Sequence, residues 1–278
     1  METMQDLALN PPPALQKGDY VAFTFFISAM ALTVIGLFIL FQLQRVAEKW
    51  RTPVIMGLMV TLVAAANTFY RREHWVSTQT IPVEFRFFDW FLTVPLMAMM
   101  FYYWVKPYGA KPWMLIGIFI SSLIMLVFGY VGEAVYPEYP VFHGIMGAIG
   151  LGGIVAFIMA GGYPILYRRY TTFSIDPVVR KGYTVLSVML PLGWSVYPAG
   201  YMTVPGNILE SVIHPNTVIM MYNFADIINK GGLALGAFLI ALYSLDNEKR
   251  HSGRRKPGSL REQPAVPAPP PAPTPVKP

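Results

Sequence analysis

Seven long apolar runs dominate the sequence and constrain its fold more than any other feature. The runs cover roughly 20–44, 53–75, 84–105, 113–134, 139–167, 180–203 and 212–244. Each is long enough to cross a bilayer, because a membrane-spanning helix needs ~20 predominantly apolar residues. Within lipid only helices and closed barrels satisfy every backbone hydrogen bond, and these runs lack the alternating pattern of a barrel strand. The sequence therefore predicts an all-α membrane protein, a seven-transmembrane helix bundle.

The composition agrees with a membrane class. Of the 278 residues, 54% are hydrophobic and 13% are charged, whereas soluble domains carry about 25% charged residues. The chain contains no cysteine, which excludes a disulfide framework and a thiol nucleophile. The net charge of +6 reflects membrane topology rather than nucleic-acid binding.

Lysine and arginine residues near the ends of the runs predict the orientation of the bundle. One side collects Arg45, Lys49, Arg51, Lys106, Lys111, Arg168, Arg169, Arg180, Lys181 and the basic residues after Lys249. The other side carries Arg71 and Arg72 together with Glu73, Glu84, Glu133, Glu138 and Glu210. Because cytoplasmic loops are enriched in Lys and Arg, the N-terminus is expected outside and the C-terminus in the cytoplasm. The protein is expected to be a multi-pass protein of the cell inner (plasma) membrane.

Three regions are expected along the chain. Residues 1–18 form an extracellular N-terminal segment that lacks the basic region and short apolar core of a secretory signal. Residues 19–247 form the seven-helix domain. Residues 248–278 turn basic and then rich in Pro and Ala, a composition that does not build a packed core. They are expected to form a disordered cytoplasmic tail, and whether it docks a partner stays open.

Lys230 lies in the middle of the last apolar run, with Asp226 one helical turn before it. At ~1.5 Å rise per residue, Lys230 is more than ~20 Å from Pro215 and from Asp246, near the centre of a membrane span. A charge there costs at least ~2.5–3.5 kcal/mol, which marks a functional site. The alternative is a lysine that is merely neutralised by Asp226 on the same helix face.

A second set of charges occupies the third apolar run. Asp89 and Thr93 share one helix face, one turn apart, and Arg86 lies one turn before Asp89. Buried charges in lipid pair with one another or face a wet cavity. We therefore expect Lys230 to face Asp89 and Asp226, with Arg86 nearby, and Thr93 can hydrogen-bond Asp89. A purely structural ion-pair cluster is the alternative, disfavoured because such clusters stabilise a fold only weakly.

Aromatic residues cluster on the same predicted helices. They are Trp90 on the third; Trp194, Tyr197 and Tyr201, with Pro198, on the sixth; and Tyr222 and Phe224 on the seventh. Aromatic stripes are commonly core or interfacial belts. Beside a buried lysine, however, flat walls suit a flat conjugated ligand, and the lysine amine is a candidate nucleophile for condensation with an aldehyde.

Four motifs give the chain a family resemblance. They are Arg86-Phe-Phe-Asp-Trp-Phe-Leu-Thr-Val-Pro-Leu96, Met125-Leu-Val-Phe-Gly-Tyr-Val-Gly-Glu133, Gly193-Trp-Ser-Val-Tyr-Pro-Ala-Gly-Tyr201 and Tyr222-Asn-Phe-Ala-Asp-Ile-Ile-Asn-Lys230. With these motifs, in order over roughly 20–245, the chain resembles a microbial (type 1) rhodopsin of the proteorhodopsin/xanthorhodopsin group.

The resemblance implies a retinal pigment. All-trans retinal would be bound to Lys230 as a protonated Schiff base, with Asp89 as primary counterion and proton acceptor and Asp226 as second counterion. Arg86 would gate the extracellular half. The residues lining the retinal would be Trp90, Trp194, Tyr197, Pro198 and Tyr222, with Met97 at the position that tunes colour. An apolar residue there implies green absorption, and the resemblance also implies a homo-oligomer, a pentamer or hexamer.

The chain departs from the family pattern at two positions. The cytoplasmic proton donor, usually a carboxylate, falls at Met100, which cannot carry a proton. A histidine that often pairs with the counterion is replaced by Asn67, which could hydrogen-bond Asp89 but not share its charge. In addition, helix five is rich in glycine between 144 and 150. These glycines either pack helices closely or open the side window of carotenoid-binding members, so a carotenoid antenna stays open but is not favoured.

The hypothesis from the sequence is a light-driven outward proton pump, a transporter rather than an enzyme. Protons would leave through Glu133 or Glu210, and recovery without a carboxylate at Met100 would be slow and strongly pH-dependent. A slow-cycling photosensor or photoswitch is the alternative, favoured by the absent donor. Asp89 and Thr93 disfavour sodium and chloride pumps, and a carrier without photochemistry is a remote alternative. No metal site is expected, because the 4 histidines lack metal-ligand spacing.

Overall fold

The computed structural model describes residues 18–167 and 175–254, with side chains in these ranges up to residue 244. Within them all regular secondary structure is helical. Seven spans follow in order: α1 (Tyr20–Gln42), α2 (Glu48–Thr78), α3 (Val83–Val105), α4 (Pro112–Tyr130), α5 (Pro140–Leu166), α6 (Pro177–Trp194 and Val196–Tyr201) and α7 (Pro215–Asp226 and Leu233–Arg254). The predicted seven-helix bundle is confirmed.

Proline residues begin four of these helices, at Pro112, Pro140, Pro177 and Pro215. Proline is favoured at this position because its missing N–H would have no intrahelical partner and its fixed backbone angle suits a helix. The helix starts predicted from hydropathy differ from the observed starts by a few residues, because hydropathy does not detect the prolines at which these helices begin. At the other terminus α7 extends to Arg254.

The helices differ in how much of their surface is buried inside the bundle. The most apolar windows of α3 and α7 are each 61% buried, against 28% for α4 and 22% for α5. α3 and α7 therefore form the centre of the bundle, and the exposed apolar faces of α4 and α5 suit contact with lipid. Six of the seven spans are long and apolar enough to cross a membrane, and α6 is the exception.

α6 is interrupted in mid-course. Its regular winding breaks at Ser195, between Trp194 and Val196. Pro198 accounts for the break, because it has no N–H to donate to the carbonyl of Trp194 one turn earlier. The break lies among the aromatic residues that the sequence places on this helix.

α7 also changes its winding, at Lys230. Residues Ile227–Gly232 form a π turn, a local widening that is frequent at functional sites. Asn229 in this turn donates from Nδ2 to the main-chain carbonyl of Gly193 in α6 at 2.8 Å. This bond ties the turn to α6 and places the two interruptions side by side.

The two ends of the bundle carry different groups. At the end we call the Glu133 end, α2 finishes, α3 begins and a π turn, Val131–Val135, prolongs α4. At the opposite end, the Ser244 end, Trp50 donates to Ser244 at 3.1 Å and Ser244 donates to Asp176 at 2.6 Å. Residues 1–17, 168–174 and 255–278 lie outside the described residues, and with them most of the predicted extracellular segment and cytoplasmic tail.

Candidate functional site

Lys230 contacts two carboxylates in the centre of the bundle. Its Nζ lies 2.5 Å from Oδ2 of Asp89 and 3.2 Å from Oδ2 of Asp226. All three side chains are at most 1% exposed. Asp89 comes from α3 and the other two from α7, where Asp226 precedes Lys230 by four positions. The structure thus brings together the lysine and both acids that the sequence predicts.

The two carboxylates are bonded unequally. Asp226 accepts a hydrogen bond from the hydroxyl of Tyr197 at Oδ1, 2.7 Å away, and one from Arg71 at Oδ2, 3.3 Å away. Oδ1 of Asp89, in contrast, is buried without a hydrogen-bond partner among the residues that the structure describes. Asp226 is therefore held by several donors, whereas Lys230 is the described partner of the Asp89 carboxylate.

Arg71 is the residue of this cluster that the sequence interpretation misplaced. It was counted among the charges at the outer ends of the spans, but its side chain is 2% exposed. Its guanidinium lies over the ring of Phe25 at 5.5 Å and donates to Thr68 at 3.2 Å. In the structure Thr68, Arg71 and Trp75 are all buried and recur at helical spacing, so they share the inward face of α2.

Arg86 lies further towards the Glu133 end. It forms an ion pair with Glu133 of the π turn after α4, and its guanidinium lies 5.5 Å from the ring of Tyr222. The expectation placed Arg86 beside the lysine and the two aspartates, but in the structure Arg71 is the arginine bonded to Asp226. The core therefore holds three basic and three acidic groups rather than two of each.

Thr93 and Asn67, which the sequence makes available to the Asp89 carboxylate, donate to main-chain carbonyls instead. Thr93 donates from Oγ1 to the main-chain carbonyl of Asp89 at 3.0 Å, as hydroxyls in helices commonly do with the preceding turn. Asn67 donates to the main-chain carbonyl of Phe85 at 3.1 Å. A shared helix face or a neighbouring helix made these bonds available but does not determine which acceptor a side chain reaches.

A cavity with predominantly apolar walls ends on Lys230. It contains about 800 Å³ of space free of protein atoms, its open mouth included. All seven residues predicted to bind the cofactor line it, namely Lys230, Trp90, Met97, Trp194, Tyr197, Pro198 and Tyr222. The ring of Trp90 lies 5.2 Å from that of Tyr197 and 5.9 Å from that of Tyr222, edge to face in both pairs.

Further lining residues come from α4 and α5, which the sequence prediction of the site left out. They include Met125, Leu126, Gly129, His143, Gly144, Gly147, Ala148 and Leu151. Those of α5 recur at the i, i+3, i+4, i+7 spacing of one helix face, a pattern that could have identified them. His143 is buried and has its Nδ1 2.9 Å from the carbonyl of Tyr139.

The glycines of α5 serve two purposes. A side chain on Gly150 would overlap the main chain of Met125 in α4, so this glycine allows close packing of two helices. Gly144 and Gly147 instead line the cavity.

Seven helices around an aromatic cavity that ends on a buried lysine, itself in contact with two carboxylates, define a microbial rhodopsin. The family model described as bacteriorhodopsin-like protein matches residues 19–244. The chain therefore belongs to the bacteriorhodopsin-like family, and it is a multi-pass protein of the plasma membrane.

Curated and solved relatives point to the same group. The chain is 30% identical over 218 residues to the green-light absorbing proteorhodopsin of gamma-proteobacterium EBAC31A08, covering 78% of this chain and 84% of that protein. The structure of a blue light-absorbing proteorhodopsin from Med12 matches with a TM-score of 0.67 and 26% identity, over 81% of this chain and 99% of that one. Xanthorhodopsin, described as a light-driven ion pump with dual chromophore, shares the fold with a TM-score of 0.67 at 21% identity, over 83% and 95% of the two chains.

Proposed function

We propose that this protein is a light-driven outward proton pump that carries all-trans retinal on Lys230 and uses Asp89 as the proton acceptor. Membership of the family implies a retinal chromophore. The observation that carries the proposal is the contact between Lys230 Nζ and a buried carboxylate whose second oxygen has no described partner.

The residues present fit such a chromophore. A conjugated apolar molecule needs a long apolar cavity with flat walls, and the cavity supplies Trp90, Trp194 and Tyr197. Its attachment needs an amine, which Lys230 supplies at the cavity wall. When bound, retinal supplies light absorption and a light-driven change of shape next to Lys230.

The chain's own groups then decide where the proton goes. A proton on Lys230 Nζ has Asp89 Oδ2 2.5 Å away, within direct transfer distance. Asp226 is 3.2 Å away but already accepts from Arg71 and Tyr197. Proton transfer to Asp89 therefore disturbs fewer existing hydrogen bonds than transfer to Asp226.

Release on the outward side is assigned to Glu133. This carboxylate lines both the cavity that ends on Lys230 and a second cavity at the Glu133 end, and it pairs with Arg86. As an ionised carboxylate, Glu133 could take up the proton that Asp89 later gives up and pass it to the outside once its pair with Arg86 opens. Glu210, the other glutamate considered from the sequence, accepts from the main-chain N–H of Gly206 in an exposed loop, so it is the less suited of the two.

Reprotonation of Lys230 is proposed to proceed without an internal carboxylate donor. Met100 is buried in the apolar core at 1% exposure. Among the described side chains, the carboxylates near the Ser244 end are Glu48 and Asp176, both at the starts of helices. Protons would therefore arrive by water entry, and recovery is expected to be slow and to depend strongly on the pH on the cytoplasmic side.

The absence of a carboxylate at Met100 also favours a second candidate, a slow-cycling photosensor or photoswitch. Both functions need a coloured pigment with retinal, so the first test is common to them. Wild-type protein mixed with all-trans retinal should gain a visible absorption band, and Lys230→Ala should not, whereas the surface variant Lys181→Ala should match the wild type. A band of equal strength in Lys230→Ala would contradict the attachment, and net proton flux under light separates pump from sensor.

A further inference from the structure

Arg71 is a buried arginine whose role the proposed function leaves undefined. It lies on α2, at 2% exposure, and its NH2 group is 3.3 Å from Oδ2 of Asp226. Arginine stays protonated in proteins, so a permanent positive charge adjoins one of the two carboxylates and not the other.

Asp226 and Asp89 differ in the number of groups that donate to their carboxylates. Asp226 faces the guanidinium of Arg71, the hydroxyl of Tyr197 and the amine of Lys230. Asp89 faces Lys230 alone among described partners. Arg86, the other arginine nearby, is paired with Glu133.

The charges in the centre follow from these contacts. Without Arg71, two buried carboxylates would share the single positive charge of Lys230, and either of them could lower the excess negative charge by taking a proton. With Arg71 in place, Asp226 has a cation of its own, and an opposite charge nearby favours the ionised form of a carboxylate.

We propose that Arg71 is a positioning residue that keeps Asp226 ionised and thereby directs the proton of Lys230 to Asp89. The inference rests on the proposed function, because it concerns which carboxylate accepts the proton in that cycle. Arg71 itself acts through Asp226, since its described partners are Asp226, Thr68 and Phe25.

Light-minus-dark infrared difference spectroscopy of the pigment tests this directly, because a carboxylate that gains a proton gains a carbonyl stretching band. In the wild type the band should shift with Asp89→Glu and not with Asp226→Glu. In Arg71→Gln a part of the band should also shift with Asp226→Glu. Arg71→Lys, which keeps the charge, should retain the wild-type pattern.

Arg72→Gln is the matched control. Arg72 is the next residue on α2 but pairs with Glu73 and lies over the ring of Phe26, away from the aspartates. In the Arg72→Gln pigment the carbonyl band should shift with Asp89→Glu and not with Asp226→Glu, as in the wild type. A band that still follows Asp89 alone in Arg71→Gln would overturn the inference.

A second measurement applies if Arg71→Gln yields little pigment. Removing the carboxylate that Arg71 neutralises should then restore the pigment, so Arg71→Gln/Asp226→Asn should form more pigment than Arg71→Gln. No recovery in the double variant would overturn the inference. A wild-type protein that forms no pigment would instead defeat the proposed function, so the two failures are distinguishable.

Discussion

At the scale of single residues, the site is governed by the unequal bonding of two carboxylates. Asp226 is held by Arg71, Tyr197 and Lys230, whereas Asp89 has Lys230 as its described partner. This difference supports the proposal that Asp226 serves as a fixed charge and Asp89 as the proton acceptor.

The two aspartates should consequently respond differently to loss of charge. Asp89→Asn should abolish proton transport yet fold well, because Lys230 keeps Asp226 as its partner. Asp226→Asn should lower the free energy of unfolding by about 3–5 kcal/mol, since it leaves the buried Arg71 without its carboxylate. Thermal unfolding of the two purified variants measures the difference, and equal melting temperatures would contradict the assignment.

Met100 should limit the rate at which the cycle recovers. Met100→Glu should speed the return of the proton to Lys230 by at least about tenfold and make it less dependent on pH, because a positioned donor contributes ~10²–10⁴-fold to proton transfer. Met100→Leu, which adds no proton, should behave as the wild type. Flash photolysis measures the recovery, and fast, pH-insensitive recovery in the wild type would rule out the account.

The sequence revealed those residues of the site whose charge contrasts with an apolar helix. Lys230, Asp89 and Asp226 stand out in this way. Arg71 does not, because Arg72 and Glu73 follow it and make the segment resemble the solvated end of a span. Which acceptors Thr93 and Asn67 reach depends on side-chain orientation, which a pattern of residues does not contain.

At the scale of helices, hydropathy was sufficient to predict seven spans but not their irregularities. The break in α6 could have been anticipated from Pro198, since proline interrupts helical hydrogen bonding. The π turn at Lys230 had no equivalent signal, because nothing in the sequence of Ile227–Gly232 specifies a π turn rather than α-helical winding. It arises from the packing of α7 against its neighbours, including the bond from Asn229 to Gly193.

The packing of α5 on α4 gives a matched pair of glycine substitutions. Gly150→Ala should destabilise the protein by about 1–3 kcal/mol, because the new methyl group would overlap the main chain of Met125 and backbone cannot move aside cheaply. Gly152→Ala, two residues along, meets nothing within 4 Å and should be neutral or stabilising by up to ~1 kcal/mol. Thermal melting of both variants checks this, and similar losses in the two would show that the contact is not close.

At the scale of the whole molecule, the burial of Arg71 sharpens the predicted orientation. The argument from charge counted Arg71 as a basic residue at the Glu133 end, but it is paired inside the bundle. When Arg71 is left out of the count, the Glu133 end has fewer free basic residues. Arg45, Lys106 and Lys111 flank the spans at the Ser244 end. The bias that places the Ser244 end in the cytoplasm is therefore stronger than the sequence alone indicated.

The orientation leads to a simple accessibility prediction. A protease-sensitive tag at the N-terminus should be cleaved in intact cells, and the same tag at the C-terminus should be cleaved only after the membrane is opened. Cleavage of the C-terminal tag in intact cells would mean that the bundle is inserted the other way, and protons would then be carried inwards.

Light-driven proton flux tests the central claim most directly. Cells that produce the protein are supplied with all-trans retinal and illuminated within its absorption band while the external pH is recorded, with and without an uncoupler. The account predicts acidification of the medium on illumination, loss of the signal with the uncoupler, and no signal from Asp89→Asn. A wild-type pigment that forms normally but gives no light-dependent pH change would contradict outward pumping and leave the photosensor.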